Sequence, residues 1–169
     1  MNILGAILAG GRSTRFGSDK AHAKVDGIRL IDRVADALGQ QTTALIVCGR
    51  EEPGFGCIED HPEPDLGPLG GLNAALQFAE NKGFTHVLSA GTDIPNLPST
   101  LLEQLLGDHA VVVGDQPVVG LWPVALAADL EDFLAEGGRA LYGFVERVGA
   151  QRITLNEPLR NINQSGDLP

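Results

Sequence analysis

Positive charge is scarce in this sequence: 12 Lys and Arg stand against 22 Asp and Glu, a formal net charge of −10 over 169 residues. Nucleic acids and anionic membranes both demand a basic surface, so neither is the expected main partner. Cysteine is nearly absent as well. Cys48 and Cys57 fit neither a CxxC metal pair nor a secreted disulfide framework, and read as reduced thiols of a cytoplasmic protein. The four histidines (His22, His61, His86, His109) are scattered without ligand spacing, which excludes a structural zinc site. No apolar run approaches the ~20 residues of a membrane span. The apolar start, residues 1–9, has no basic segment before it and is short for a signal-peptide core, so a buried strand is the expectation. Neither a GxxxxGK[ST] phosphate loop nor a GxGxxG dinucleotide fingerprint occurs.

What is present is a globular composition, 43% hydrophobic and 20% charged, of a length that suits one domain, residues 1–169, with a core that needs no disulfides. Apolar runs alternate with amphipathic stretches. Residues 3–8, 44–48, 57–60, 85–90, 110–113, 118–122 and 153–155 read as strands. Residues 30–38, 68–79, 98–106 (capped by Ser99 or Thr100), 124–134 and 139–148 read as helices. Asp26-Gly27 between short apolar segments signals a hairpin turn. Alternation of this kind predicts an α/β fold, a three-layer sandwich about a mostly parallel mixed sheet. Leu130, Phe133, Tyr142 and Phe144 are expected in the core, with a partner surface as the alternative.

The charge is unevenly spread. Residues 12–24 carry Arg12, Arg15, Lys20 and Lys24 against Asp19 alone, whereas residues 83–138 contain no Lys or Arg. The basic knot follows the first strand as Leu8-Ala9-Gly10-Gly11-Arg12-Ser13-Thr14-Arg15-Phe16-Gly17-Ser18-Asp19-Lys20. Glycines let backbone N–H groups close on phosphate oxygens, and Arg15 and Lys20 are placed to neutralise them; the alternative is a solvated basic turn. The chain has 22 glycines, about twice ordinary usage. Those in Gly67-Pro68-Leu69-Gly70-Gly71, at a helix start, permit close approach of a ligand or of a packed strand. Asp93 follows the fourth strand in a Pro-bounded turn. It is either a turn residue or a ligand of a hard cation such as Mg²⁺ shared with substrate phosphates.

In this order, these pieces resemble the molybdenum cofactor guanylyltransferase family, almost end to end. Leu8-Ala9-Gly10-Gly11 through Arg15-Phe16-Gly17 and Asp19-Lys20 is similar to the family's nucleotide loop, and Gly67-Pro68-Leu69-Gly70-Gly71 to its Gly-Pro-Leu-Ala-Gly element. The resemblance implies a Rossmann-like nucleotidyltransferase fold of the glycosyltransferase-A-like kind. It also implies transfer of GMP from Mg·GTP to the phosphate of molybdenum-bound molybdopterin, with pyrophosphate released. The residues it assigns to the nucleotide are Leu8, Ala9, Gly10, Gly11, Lys20, Asp60, Gly70 and Asp93, with an exposed turn acid as the alternative at Asp60. Lys20, Arg15 and Asp93 take the catalytic roles, and Asp93 holds Mg²⁺. Asn161 and Asn163 fall on an Asn-x-Asn associated with molybdopterin; Arg139 either meets the pterin phosphate or merely lies near a helix start. Recipient molybdoenzymes or their chaperones are implied as transient partners, in the cytoplasm.

Two details favour GTP over CTP: related cytidylyltransferases carry Leu-Ala-Ala-Gly at the first loop, and they have no Gly-Pro-Leu-small-Gly element. The chain departs from the family at Cys48, often Asn there, at Phe16, usually Met, and after Asn163. Two alternatives remain open at this level. One is a CTP-dependent enzyme acting on molybdopterin or a sugar phosphate. The other is a non-catalytic nucleotide-binding protein, against which Lys20 and Asp93 together argue.

Overall fold

The structure, a computed structural model, describes residues 1–10 and 20–162, with Lys20 in its backbone alone. Nine strands and five α-helices occur among these residues. β1 (Ile3–Leu8), β4 (Ala44–Cys48), β5 (Gly56–Ile58), β6 (His86–Gly91), β7 (Val111–Val113), β8 (Gln116–Pro123) and β9 (Gln151–Ile153) form one sheet in the order β5-β4-β1-β6-β8-β7-β9. The β1–β4, β1–β6, β4–β5 and β7–β9 pairs are parallel, and β8 runs antiparallel to both its neighbours. The sheet is therefore mixed and mostly parallel, as the alternating pattern predicts. β2 (Lys24–Val25) and β3 (Ile28–Arg29) form a separate hairpin whose turn residues Asp26 and Gly27 both have positive φ, the geometry that suits strand twist.

The central strands read as unbroken apolar runs because both faces are covered. From β1, Ile3 and Ile7 meet α1 (Leu30–Gly39) and α3 (Leu101–Leu105), while Leu4 and Ala6 meet α2 (Pro68–Lys82), α4 (Ala127–Ala135) and α5 (Leu141–Val148). Helical spacing brings Leu30, Ile31, Val34, Ala35 and Leu38 of α1 inward. Leu69, Leu72, Ala75, Leu76 and Ala79 do the same for α2, which opens on Pro68 and ends at the left-handed Gly83. Trp122 and Phe144 stack with centroids 5.8 Å apart in the core of the α2 side, and the Trp122 indole donates to Ser89 Oγ at 2.9 Å.

Several boundaries differ from the sequence reading. α3 is confined to Leu101–Leu105, and Thr100 does not cap it. The Leu102 N–H is instead taken by Gln41 Oε1 at 2.8 Å, a contact from the α1–β4 turn invisible to local pattern. Residues 124–126 form a 3-10 turn ahead of α4. β9 is Gln151–Ile153 because these residues pair with β7; Leu155 is buried beyond the strand. Leu130 and Phe144 are core and Phe133 packs against it, but Tyr142 is exposed, with its hydroxyl on the Gly114 carbonyl and Arg152 over its ring. No helix among the described residues is long and apolar enough to cross a membrane.

Candidate functional site

The chain passes from β1 to β4 on one side of β1, then returns through α2 to β6 on the other, which makes a crevice at the carboxyl ends of these strands. Leu8 stands level with Cys48 and with Gly91, so the segments leaving β1, β4 and β6 emerge at one edge. Ala9 continues the ladder through its N–H to the Cys48 carbonyl at 2.9 Å.

Glycine then brings backbones into contact. A Cβ on Gly49, whose φ is +92°, would lie 2.5 Å from the Gly10 Cα, so no side chain fits there. Asp60 fills the space these glycines leave. A Cβ on Gly10 would sit 2.8 Å from Asp60 Oδ2, one on Gly70 3.2 Å from the same atom, and one on Gly71 3.4 Å from Oδ1. Asp60 Oδ1 is buried with no hydrogen-bond partner among the described residues. Burial, and then the Asp65 carboxylate, push the Asp60 carboxyl above its ordinary range. An orphaned buried acceptor is expensive and calls for a donor beyond the described residues, from the rest of the chain or from a ligand. Asp60 also lines a cavity of about 470 Å³ together with Gly10, Gly49, Arg50, Glu59 and Glu63. The segment beyond it is held down at His61: Asn73 Nδ2 donates to the His61 carbonyl at 3.0 Å and to Glu131 at 2.7 Å, and Glu131 also receives Gln77 at 2.7 Å.

Asp93, just past β6, is fixed differently. Its Oδ2 accepts from Asn161 Nδ2 at 3.0 Å, its carbonyl accepts from the Ile162 N–H at 2.7 Å, and Gln116 holds the Asn161 carbonyl oxygen. The far C-terminal segment is thereby stitched to the end of β6. No group of three or more His, Cys, Asp or Glu that suits a metal occurs among the described residues. A single oriented carboxylate fits Mg²⁺, which keeps most of its shell for water and substrate phosphates rather than for a protein cage.

Gly10 thus follows β1, Asp60 follows β5, Gly70 lies in the first turn of α2, Asp93 follows β6, and Asn161 sits on Asp93 itself. Leu8 is the last residue of β1 and Ala9 follows it. Gly11, Arg15 and Asn163, with the rest of residues 11–19, are outside the described residues, as is the Lys20 side chain. Arg139 sits in the α4–α5 turn, where its guanidinium closes the end of α4 on the Leu134 and Gly138 carbonyls.

The MobA-like NTP transferase domain family matches residues 5–151. The chain belongs to this family. Molybdenum cofactor guanylyltransferase of Cereibacter sphaeroides (strain ATCC 17029 / ATH 2.4.9) is 35% identical over 182 residues, covering 99% of this chain and 94% of the relative. That of Rhizobium leguminosarum bv. trifolii (strain WSM2304) is 34% identical over 190 residues, covering 98% and 90%. Among solved structures, molybdopterin-guanine dinucleotide biosynthesis protein A from Archaeoglobus fulgidus superposes with a TM-score of 0.78 at 22% identity, over 97% and 94% of the two chains. The 2-C-methyl-D-erythritol 4-phosphate cytidylyltransferase of Thermus thermophilus gives 0.71 at 16% identity, over 99% and 94%, a likeness of fold. The protein is accordingly an enzyme of the molybdenum cofactor guanylyltransferase family, a nucleotidyltransferase.

Seen as a member of that family, the chain's Cys48 is fully buried. Burial and the nearby Asp60 carboxylate push its thiol far above the usual range, leaving an apolar wall where the family often has an amide. Sequence reasoning missed Gln116, Asn73, Glu131, Arg50 and Glu52. The first three carry no local signal, being polar residues whose partners are distant in sequence, whereas Arg50 pairs with Glu52 two positions on. Glu52 lies in Glu51-Glu52-Pro53-Gly54, which reads as a solvated turn yet contains a carboxylate only 1% exposed.

Proposed function

We propose that the enzyme transfers GMP from Mg·GTP to the phosphate of molybdopterin. An oxygen of the acceptor phosphate attacks the α-phosphorus, a P–O–P phosphoanhydride bond forms, and the bond from the α-phosphorus to the α–β bridging oxygen breaks to release pyrophosphate. A phosphate monoester has a second pKa of about 6, so the acceptor is mostly ionised at neutral pH and needs no general base. The work left to the protein is positioning and charge stabilisation.

The observation that carries this reading is the buried Asp60 Oδ1, without a hydrogen-bond partner among the described residues, in a cavity lined by carboxylates. Guanine offers N1–H and N2–H donors to such acceptors, and the cavity of about 470 Å³ beside Asp60 is the space for the base. Cytosine offers a single amino group. Lys20 and Arg15 are assigned to the triphosphate by charge and by the glycines before them. Asp93, oriented by Asn161, is the residue for Mg²⁺, which when bound supplies positive charge against the phosphates. The molybdopterin side falls to Asn161, Asn163 and Arg139; the hold of Asn161 on Asp93 makes its first role the alignment of that carboxylate.

Asp93→Ala and Lys20→Ala are each expected to lower guanylyl transfer by at least ~100-fold, the scale of losing one charge-stabilising group. Near-wild-type turnover in either variant contradicts the assignment. Parallel titration with Mg·GTP and Mg·CTP tests the base, and a clear CTP preference overturns the guanylyl reading. Absence of pyrophosphate release with GTP, Mg²⁺ and molybdopterin points instead to a nucleotide-binding protein without transfer activity.

A further inference from the structure

Glu52 is the most deeply buried acid among the described residues, and nothing in the proposed chemistry uses it. Its carboxylate, 1% exposed, receives His22 Nε2 at 2.8 and 2.9 Å on its two oxygens, Arg29 Nη1 at 3.1 Å, and Arg50 Nε at 3.5 Å. Arg29 is held in turn by Asp32 through bonds of 2.7 and 3.1 Å. The Glu52 N–H points at Cys57 Sγ, 3.1 Å away, and its carbonyl accepts the Phe55 N–H, so the backbone around it is also pinned.

Stability does not explain this arrangement. Taking the Glu52 carboxylate out of water costs several kcal/mol, roughly what its attraction to the partly exposed His22, Arg29 and Arg50 returns, so the cluster yields little net stability. What the cluster does supply is a fixed geometry between segments that pack on no common strand. His22 closes the 3-10 turn Lys20–His22, two residues beyond the lysine assigned to the triphosphate. Arg50 follows Gly49 and lines the cavity that contains Asp60. Arg29 opens α1 and ends the β2–β3 hairpin. One buried carboxylate thus touches the segment that leaves the phosphate loop and the segment that walls the base cavity.

We propose that Glu52 is a positioning residue that sets the spacing between the phosphate grip and the base cavity, acting through His22 on one side and Arg50 on the other. It touches no substrate itself. The inference rests on the reading of a nucleoside triphosphate bound across this edge of the sheet, and deepens it by naming what holds the two halves of that site in register.

The test is steady-state kinetics on the full chain, with GTP and molybdopterin varied separately, in Glu52→Gln, His22→Leu, Arg50→Met and the Glu52→Gln/His22→Leu double variant. Glu52→Gln is expected to raise KM for Mg·GTP about ten- to a hundredfold, the range for binding groups displaced by up to an ångström. KM for molybdopterin should stay within about twofold. His22→Leu and Arg50→Met should each raise the GTP value, and the double variant should fall short of the combined single effects, because His22 and Glu52 share one contact. A merely structural role lowers the melting temperature and the active fraction and leaves the GTP KM unchanged; that result overturns the proposal, as do additive effects in the double variant. If Glu52→Gln fails to fold, His22→Leu and Arg50→Met decide, and wild-type GTP KM in both overturns it. Direct binding of GTP and CTP to the wild type separates the two levels. A wild type that prefers CTP refutes the guanylyl reading and leaves the positioning test to be scored with CTP. A wild type that binds neither refutes both.

Discussion

Gly10→Ala converts Leu8-Ala9-Gly10-Gly11 into the Leu-Ala-Ala-Gly of the cytidylyltransferases with a single methyl group. Gly10 does not have a positive φ, so the backbone tolerates alanine and the consequence is purely one of space. The new Cβ would lie 2.8 Å from Asp60 Oδ2, 3.2 Å from Oδ1 and 3.2 Å from the Gly49 Cα. Ordinary contact begins near 3.4 Å, so Asp60 must retreat by several tenths of an ångström. Gly70 and Gly71 of α2 lie close enough that Cβ atoms there would approach the same carboxylate to 3.2 and 3.4 Å. Overpacking of this kind costs about 1–3 kcal/mol. A domain of this size loses about 2–4 °C in melting temperature per kcal/mol. The larger effect is on binding. If displacement of Asp60 removes one hydrogen bond from guanine to a charged acceptor, the loss is about 1.5–3 kcal/mol. That loss corresponds to roughly 10- to 150-fold weaker GTP binding. Affinity for CTP, which has no N1–H to give, should change far less. Titration calorimetry with the two Mg·nucleotides, alongside thermal denaturation, reads both effects. An unchanged GTP affinity in a folded Gly10→Ala variant would refute the pairing of Asp60 with the base.

Two further outcomes follow from buried polar groups. Burial and Asp65 hold the Asp60 carboxyl above its unfolded value, so the folded chain binds this proton more tightly than the unfolded chain does. The group's contribution to stability is then full below the unfolded pKa, about 3.9, and declines as pH rises through the elevated folded value. Asp60→Asn removes the decline, so urea midpoints of variant and wild type should separate in the variant's favour from about pH 4 upward; parallel curves contradict this. Ser89→Ala strands the Trp122 indole N–H in the core by deleting its acceptor at 2.9 Å. It should cost about 1–3 kcal/mol in denaturant unfolding and leave the KM for GTP unaltered, whereas a shifted KM would place the β6 interior closer to the chemistry than its burial indicates.

The fold was legible where apolar spacing repeats. The five buried positions of α1 are those that helical spacing selects, the five it selects in α2 are all buried, and the residues that close β1 and β4 are the ones their apolar runs end on. Misread boundaries share one cause. Thr100 yields its capping role to Gln41, and β9 ends where its pairing with β7 ends, both settled by residues at least 40 positions away. Tyr142 is apolar enough to be expected inside, but two positions along α5 put it on the side away from the packed Phe144, and it is exposed.

For the site, the sequence by itself determined the ingredients. It supplied a basic glycine loop after the first strand, an acid after the fourth, a Gly-Pro-Leu-Gly-Gly helix start, and the family they resemble. Such features are written in residue type and order, because close approach needs glycine and phosphate needs cations. Only the tertiary structure decided how they combine. Asp60 became more than a turn acid when Gly10, Gly49, Gly70 and Gly71 closed around it and left Oδ1 without a donor among the described residues. Asn161 was joined to Asp93 across 68 positions, and Glu52 left solvent to meet His22, Arg29 and Arg50. These are electrostatic pairings between segments far apart in the chain. A scarce positive charge acquires its meaning from the carboxylate it faces, and that partner is chosen by the fold.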